Sequence, residues 1–502
     1  MALQPEMQNK QPKTRGRFLN YRFIIWWSIA WAIVIMALSP IVNSVTPLQD
    51  TTNNNIWTPD ILWRLVLYWH GGIFIPWITA LAAVAVVILR LDKLQGIPGR
   101  LLRESVLWGG LIAVPLAGIA GIFDVFDKFL LGIPLWTQIF AFLIGDEMAI
   151  ALIVALIMYP RSTGIHYTKV GLPYFVVLVS VVATLASALM GHIGGWITFF
   201  GPTPQAFSQY INSTMYPVLG YYNSSAVIAF TQSDVGSHSH LMIPALMSGV
   251  IALTALAYRF GDGWSGIEKG LARFGFVVMV LSLLGSVWIY VVSGVGNFAI
   301  PTLFVSGQGG IAADDLVTGF VGLGALFVLI SLLMHSRKKT SPSKPLIRDP
   351  LFLTVIASWF FIYFLIPITG YFIELNAGYY HGVGIGFDQA YTRFHQDFGF
   401  FLLPALVTAI LGFEAFGLSG KLRRNVGSLL LGGITLAFVA GVLYSLVSLN
   451  PIALYAAFFG GVLIAVGLLL GANFLRKAPP TSVIEPKRDL LVTTTDNRPG
   501  GS

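Results

Sequence analysis

Twelve long apolar runs dominate this chain of 502 residues and constrain its fold more than any single motif does. A helix that crosses the hydrocarbon core of a bilayer needs about 20 apolar residues. Backbone polar groups at that depth must be hydrogen-bonded internally, so such runs become helices. The sequence therefore predicts an all-α, polytopic membrane protein with about twelve transmembrane helices, at roughly 20–43, 61–90, 104–123, 133–159, 171–199, 239–259, 273–295, 312–335, 351–374, 391–417, 425–448 and 451–476.

The composition extends this interpretation to nearly the whole chain. Hydrophobic residues make up 56% and charged residues only 10%, whereas soluble proteins carry about 25% charged residues. We therefore expect three segments: a basic cytoplasmic N-terminus at 1–19, a twelve-helix transmembrane domain at 20–476, and a disordered cytoplasmic tail at 477–502.

Basic residues indicate the orientation of the chain in the membrane. Lys and Arg precede the first run, follow the last run and recur in every second loop between them. Loops rich in Lys and Arg stay in the cytoplasm. The formal charge of +8 therefore orients the protein in a lipid bilayer, and we expect no nucleic-acid partner. The predicted location is the cytoplasmic membrane of a prokaryote, with both termini inside.

Histidines enter three of the apolar runs from the predicted outer side. His70 lies in the second run, His238 and His240 begin the sixth, and His395 lies in the tenth. A buried imidazole costs free energy unless something binds it, and neutral imidazole is the usual axial ligand of b-type haem. We interpret His70, His240 and His395 as the leading ligands of one or two b-type haems, with His238 next. These histidines would put the haem side toward the outer face.

The absence of cysteine restricts the remaining metal chemistry. Iron–sulfur clusters, c-type haem attachment and a thiolate copper centre are excluded on this chain. His192, near the outer end of the fifth run, is a further candidate metal ligand, or makes an interfacial hydrogen bond. Arg64 and Arg393 are placed to neutralise haem propionates, or else they anchor outer loops.

Small and aromatic residues next to the histidines suggest how a macrocycle would be packed. Gly71 and Gly72 follow His70, and glycine lets a flat group approach the backbone closely. Phe394 and Phe398 flank His395 and are candidates for contact with the faces of the ring.

Two adjacent carboxylates, Asp146 and Glu147, lie near the middle of the fourth run. Carboxylates at this depth are costly unless they are protonated, paired or hydrated. We interpret them as a proton relay or ion site; the alternatives are a buried pair with an arginine or a shifted span boundary. Glu414 is predicted to be interfacial, and His335 to be an ordinary surface residue of a cytoplasmic loop.

The histidine spacing indicates an internal repeat. His70, His240 and His395 are separated by 170 and 155 residues, and each falls in the second run of a group of four. This predicts a pseudo-threefold arrangement of four-helix blocks, each offering a histidine from its second helix toward a common centre.

These features together resemble the catalytic subunit of the haem–copper oxidase and nitric oxide reductase superfamily. The resemblance implies that His70 and His395 hold haem, and that His238 or His240 holds copper or non-haem iron beside it. Two features diverge from the family. The tenth run has His395-Gln396-Asp397 in place of His-x-His, and the seventh run lacks a histidine pair.

The resemblance also implies a function and partners. It predicts a respiratory oxidoreductase subunit that takes electrons from quinol or from a periplasmic cytochrome or cupredoxin, and that reduces O2 or NO. Without cysteine-based centres of its own, the chain would need an additional electron-entry subunit if its donor is a soluble protein.

Two other classes of function fit the same sequence. Twelve spans with both termini inside is a common layout of secondary transporters, and Asp146 and Glu147 could couple protons to transport. The chain could also be a non-haem copper or iron membrane enzyme that uses His192, His238 and His240.

Overall fold

A computed structural model describes most of the chain, namely residues 19–45, 68, 70–126, 132–162, 171–200, 226–260, 263–288, 313–338, 345–366, 368–369 and 394–480. Arg64, Arg393, the basic segment up to residue 18 and the tail from residue 481 lie outside the described residues.

Twelve helices account for the described part of the chain, which is about 91% helical and has no strand. Ten of the twelve are long and apolar enough to cross a membrane, and the other two carry shorter apolar segments, Leu241–Ala257 and Pro350–Leu365. Each helix overlaps one predicted run, so the prediction of an all-α polytopic membrane protein is confirmed.

The helices are α1 Tyr21–Val45, α2 His70–Phe74 (a π turn) with Ile75–Ile88, α3 Gly96–Glu104 with a π turn Ser105–Gly109 and Gly110–Phe126, α4 Gly132–Ser162, α5 Leu172–Phe200, α6 Ala226–Ala257, α7 Gly266–Val287, α8 Ala313–Ser336, α9 Pro350–Phe360 with Phe361–Leu365, α10 Phe394–Leu402 (π-helical) with Leu403–Ala415, α11 Gly420–Val442 with Leu443–Val447, and α12 Pro451–Lys477.

Helix contacts repeat in three blocks, α1–α4, α5–α8 and α9–α12. In every block the first helix packs against the second and third, and the fourth packs against the second and third. The second helices, α2, α6 and α10, also pack against one another. The last helix of each block contacts the first helix of the next, and α12 returns to α1. The result is a closed ring around three central helices. The repeat in the sequence predicts the three blocks and the central place of their second helices, but not the closure of the ring.

Burial follows this arrangement. The apolar window of α2 is 83% buried and that of α10 is 72% buried, whereas only 22% of the window of α12 is buried. All of these windows are strongly apolar because lipid tails favour apolar side chains as much as a protein interior does. Hydropathy therefore predicts which runs are spans, and only the contacts reveal which spans are central.

Glycines set the closest helix contacts. A Cβ atom on Gly433 of α11 would lie 2.8 Å from the carbonyl oxygen of Gly460 of α12. The backbones of Gly275 in α7 and Gly324 in α8 approach each other in the same way. Small residues allow such close packing, which is a main source of helix association in membranes.

An ion-pair network joins four helices near the C-terminal ends of α6 and α10. Arg423, in the first turn of α11, donates to Asp349, the N-cap residue of α9, at 2.7 Å. It also donates to both carboxylate oxygens of Glu414 on α10, at 2.6 and 2.5 Å. The hydroxyl of Tyr258, directly after α6, donates to Glu414 at 2.9 Å. Glu414 is thus a shared acceptor within the bundle.

The prediction for His335 is wrong, because this residue belongs to α8 and its ring is buried. The ring stacks on Trp264 with 5.0 Å between centroids, and Nδ1 lies 3.7 Å from Glu268 Oε2. Glu268 also accepts from Lys338 Nζ at 2.7 Å. The last turn of α8 packs beneath the segment that precedes α7, a contact that no local sequence pattern shows.

Candidate functional site

The three central helices run in the same direction and meet in one apolar cluster. The buried members of this central cluster are Phe74 and Trp77 from α2, with Met242 and Leu246 from α6. Side chains from other helices, Phe142, Phe401 and Ala405, pack at its edge. The rings of Phe74 and Phe401 meet edge to face, with centroids 6.3 Å apart.

The predicted haem ligands all precede this cluster along their helices. His70 is the first residue of α2 and lies one turn before Phe74. His238 lies four residues before Met242, His240 two residues before it, and His395 is the second residue of α10. Because the three helices are parallel, the four histidine positions share one end of the centre, which we call the histidine end. Their side chains lie outside the described residues.

Two features hold the histidine end in place. Trp77 Nε1 donates to Thr408 Oγ1 at 3.0 Å and thereby links α2 to α10 inside the core. The histidine-bearing segments His70–Phe74 and Phe394–Leu402 are both π-helical. Three further π segments lie elsewhere in the described helices, at Ser105–Gly109, Phe361–Leu365 and Leu443–Val447, so this feature does not by itself mark a site. The sequence did not indicate either feature.

The small and aromatic neighbours of the histidines contact neighbouring helices. A Cβ atom on Gly71 would overlap Gln138 of α4, and one on Gly72 would lie 2.5 Å from Ile35 of α1. These glycines therefore allow α2 to pack against neighbouring helices. That they also let a macrocycle approach the backbone stays a prediction.

The phenylalanines next to His395 also face a neighbouring helix. Phe394 and Phe398 stack on each other at 5.3 Å, and both pack against Phe438 of α11. The aromatic residues that do face the centre are Phe74, Trp77 and Phe401.

Asp146 forms a close pair with His192. Asp146 Oδ2 lies 2.7 Å from His192 Nε2, and the two side chains are 15% and 29% exposed. The pair crosses from α4 to α5 and so bridges the first and second blocks. The ring of His192 also meets Phe142 edge to face at 6.1 Å. Since Phe142 packs on the central cluster, one aromatic ring separates this pair from the centre.

Glu147 points away from Asp146 and has a different partner. Its Oε1 accepts a hydrogen bond from Ser105 Oγ of α3 at 2.8 Å. Asp146 and Glu147 are therefore two sites with different surroundings, and the sequence could not separate them.

The described side chains contain no group of three or more metal-ligating residues. The side chains at the histidine end are not among the described ones. What the described surroundings offer is an aromatic and apolar cluster next to the histidine positions of three helices. Such an environment suits a flat apolar macrocycle held by neutral imidazole.

Comparison with models of protein families, with curated proteins and with solved structures finds no match for this chain.

Proposed function

We propose that the chain is a haem-b-binding oxidoreductase subunit of a respiratory membrane, akin to the haem–copper oxidase and nitric oxide reductase superfamily. One observation carries the proposal. The second helices of all three blocks form the centre, and every candidate histidine of these helices lies at the same end of it. This arrangement is the one that the histidine spacing predicts, and it supports the proposal.

His70 and His395 would hold haem, and His238 or His240 would hold the same haem or a copper or iron ion beside it. The haem iron supplies one-electron transfer. The chain itself would exclude water from the centre through Phe74, Trp77 and Phe401. Arg64 and Arg393 would neutralise the propionates.

Proton movement is assigned to Asp146, with His192 as its partner. A carboxylate and an imidazole 2.7 Å apart can share and pass on a proton. Phe142 connects this pair to the central cluster by packing alone, so any proton step toward the centre would need water. Glu147 is not part of the pair.

The test is a reduced-minus-oxidised visible spectrum of the purified chain, with haem quantified as its pyridine complex. We expect b-type α-bands that are lost in His70→Ala or His395→Ala. His166→Ala, which removes the histidine in the sequence between α4 and α5, serves as the control and should keep them. A colourless preparation with native helix content would overturn the proposal.

A proton-coupled transporter is the second candidate, and one observation favours it. The Asp146–His192 pair lies at the seam between two blocks, where relative motion of blocks would alter it. A colourless protein whose Asp146→Asn variant loses proton flux in proteoliposomes would support this class. A non-haem copper or iron enzyme would instead show stoichiometric metal without haem, lost in His238→Ala or His240→Ala.

A further inference from the structure

A small charged cluster lies at the end of the second block where α7 begins and α8 ends. Its members are Glu268 in the first turn of α7, His335 in the last turn of α8, and Lys338 just after α8. The side chains of Glu268 and His335 are only 2% and 6% exposed, whereas that of Lys338 is 41% exposed. One buried carboxylate therefore has two basic neighbours, of which one is buried and the other reaches water. We call these three residues the α7–α8 clasp.

The backbone at the start of α7 holds the carboxylate of Glu268 in place. Glu268 Oε2 accepts a hydrogen bond from the backbone N–H of Ser265 at 2.7 Å, and the Ser265 hydroxyl accepts one from the backbone N–H of Glu268 at 3.3 Å. Together these bonds form a capping box. The carboxylate is thus fixed independently of the cation that neutralises it.

The two basic neighbours compete for the same oxygen of Glu268. Lys338 Nζ donates to Oε2 at 2.7 Å. His335 Nδ1 lies 3.7 Å from that oxygen and has no hydrogen-bond partner among the described residues. The imidazole is held by stacking on Trp264, with 5.0 Å between the ring centroids. A shift of about 1 Å would bring Nδ1 within hydrogen-bond distance of Oε2.

The charges around His335 are few. In the described part of the chain, Glu268 and Lys338 are the charged groups that act on it. Trp264 covers the ring without adding a charge. The turn Leu346–Arg348, which precedes α9 and also contacts α8, has a single charged residue, and that residue is exposed. The clasp is therefore neutral as long as the imidazole is neutral.

We propose that the α7–α8 clasp is a pH-sensitive switch, in which a proton on His335 transfers Glu268 from Lys338 to the imidazolium. An unperturbed imidazole takes up a proton at about pH 6.5. Two cations beside one buried carboxylate leave a positive charge uncompensated, which costs free energy. Lys338 can leave because its flexible stem carries the ammonium into water, whereas the stacked ring of His335 stays buried.

The exchange changes what is tied to α7. Lys338 begins the connection from α8 to α9, and α9 is the first helix of the third block. With neutral His335 this connection is pinned to the start of α7, and with protonated His335 it is released. The clasp lies on the side that is predicted to be cytoplasmic, so it would respond to the pH of the cytoplasm. The inference does not depend on the haem proposal.

The test is pulsed acylation of lysines in the purified full chain, quantified by peptide mass spectrometry between about pH 8 and pH 5.5. Every amine reacts more slowly as pH falls, so labelling of Lys338 is divided by labelling of Lys421, an exposed lysine in the first turn of α11. We expect this ratio to rise about 2- to 5-fold on acidification, as for release from a partly exposed ion pair. A ratio that stays flat in the unmodified chain would overturn the proposal.

Three variants show whether His335 controls the ratio. His335→Phe keeps a ring against Trp264 but cannot be protonated, so the ratio should stay low at every pH. Glu268→Gln removes the shared acceptor, and the ratio should be high at every pH. His166→Ala, which removes a different histidine, should behave as the unmodified chain does. A rise on acidification that survives in His335→Phe protein of native helix content would contradict the proposal.

Unfolding temperature gives a second readout of the same exchange. Near pH 8, Lys338→Met leaves Glu268 without its cation and should lower the unfolding temperature. Near pH 5.5 this difference should shrink, because protonated His335 replaces the missing charge. In a His335→Phe background the difference should persist at both values of pH. An effect of Lys338→Met that grows on acidification would show that His335 does not take over Glu268.

Discussion

At the scale of single residues, Arg423 has the largest predicted effect on stability. Removing its guanidinium leaves Asp349 and Glu414 without a cation, and breaking a buried pair from one side costs about 3–5 kcal/mol. The Arg423 side chain is 20% exposed, so we expect Arg423→Ala to cost about 2–4 kcal/mol. The measurement is the apparent unfolding temperature in detergent. The exposed neighbour Arg424 is the control, and its change to Ala should cost less than about 0.5 kcal/mol. Equal unfolding temperatures of the two variants would refute this role.

From Tyr258, in the same network, we expect the stability of the protein to depend on pH. Burial, with a further contribution from the nearby Glu414 carboxylate, raises the pKa of the Tyr258 hydroxyl well above its usual value. A raised pKa in the folded state stabilises the protein below the usual tyrosine pKa of about 10, and the benefit is lost as pH rises beyond it. Tyr258→Phe should be less stable by about 1 kcal/mol at neutral pH, through the lost hydrogen bond.

The wild-type and Tyr258→Phe stability curves should therefore converge above about pH 10. Unfolding temperatures measured from pH 8 to 11 check this. The exposed Tyr455→Phe variant should follow the wild type throughout. Parallel curves for Tyr258→Phe and wild type would contradict the assignment.

The Asp146–His192 pair predicts energetic coupling between two blocks. In a double-mutant cycle of Asp146→Asn and His192→Gln, we expect an interaction energy of about 0.5–3 kcal/mol in unfolding. Thr184 lies on the same helix as His192 and bonds to its own turn, so Asp146→Asn combined with Thr184→Ala should be additive. Additive effects in the first cycle would show that the contact contributes nothing to stability.

The sequence indicated which residues carry unusual chemistry better than it indicated their partners. Asp146 stands out in an apolar run, but its partner His192 is 46 residues away and on another helix. The same limit applies to Arg423, whose two carboxylate partners belong to different helices. Partner choice depends on which helix faces meet, and that is a tertiary property.

At the scale of the helices, adjacent glycines on α12 give a matched comparison. A Cβ atom on Gly460 would lie 2.6 Å from the backbone nitrogen of Ala437, whereas one on Gly461 would meet nothing within 4 Å. We expect Gly460→Leu to force α11 and α12 apart and to cost at least about 1–3 kcal/mol as overpacking. Gly461→Leu should be neutral within about 0.5 kcal/mol. Unfolding temperature and the yield of monodisperse protein measure both effects. Equal behaviour of the two variants would contradict the close α11–α12 contact.

The number and order of the helices followed from the sequence, but several of their ends did not. α3 begins at Gly96 and α6 at Ala226, eight and thirteen residues before the apolar runs predicted there. The added segments are polar, with Arg100 and Arg103 in one and Ser233 and Asp234 in the other. Backbone hydrogen bonding continues a helix past the point where its side chains become polar, so a hydropathy window stops early.

At the scale of the whole molecule, the orientation can be tested directly because the chain has no cysteine of its own. Single cysteines at Ser419, between α10 and α11, and at Ser448, between α11 and α12, should report opposite sides of the membrane. The positive-inside rule predicts that only the second reacts with an impermeant maleimide added to intact cells. Labelling of Ser419→Cys alone would mean that the orientation is inverted.

The three-block plan could be predicted because the repeat leaves a trace in the spacing of three histidines. The closure of the ring could not be predicted. It depends on α4 meeting α5, α8 meeting α9 and α12 meeting α1, and these interfaces are built from ordinary apolar residues with no distinctive pattern. The hydropathy of a run identifies it as a span but does not reveal which other helix it packs against.

The order of the central helices in the chain also determines when they can pack together during synthesis. α2 leaves the ribosome early, yet its partner α10 lies about 300 residues later in the chain. At a synthesis rate of about 5–20 residues per second, α2 waits about 15–60 s for α10. During that interval the indole N–H of Trp77 lacks Thr408, and the face of α2 that will be most buried meets lipid or an insertion factor. A nascent chain stalled before α10 would therefore have a centre without its third helix. Membrane quality control could recognise this state by its exposed polar groups.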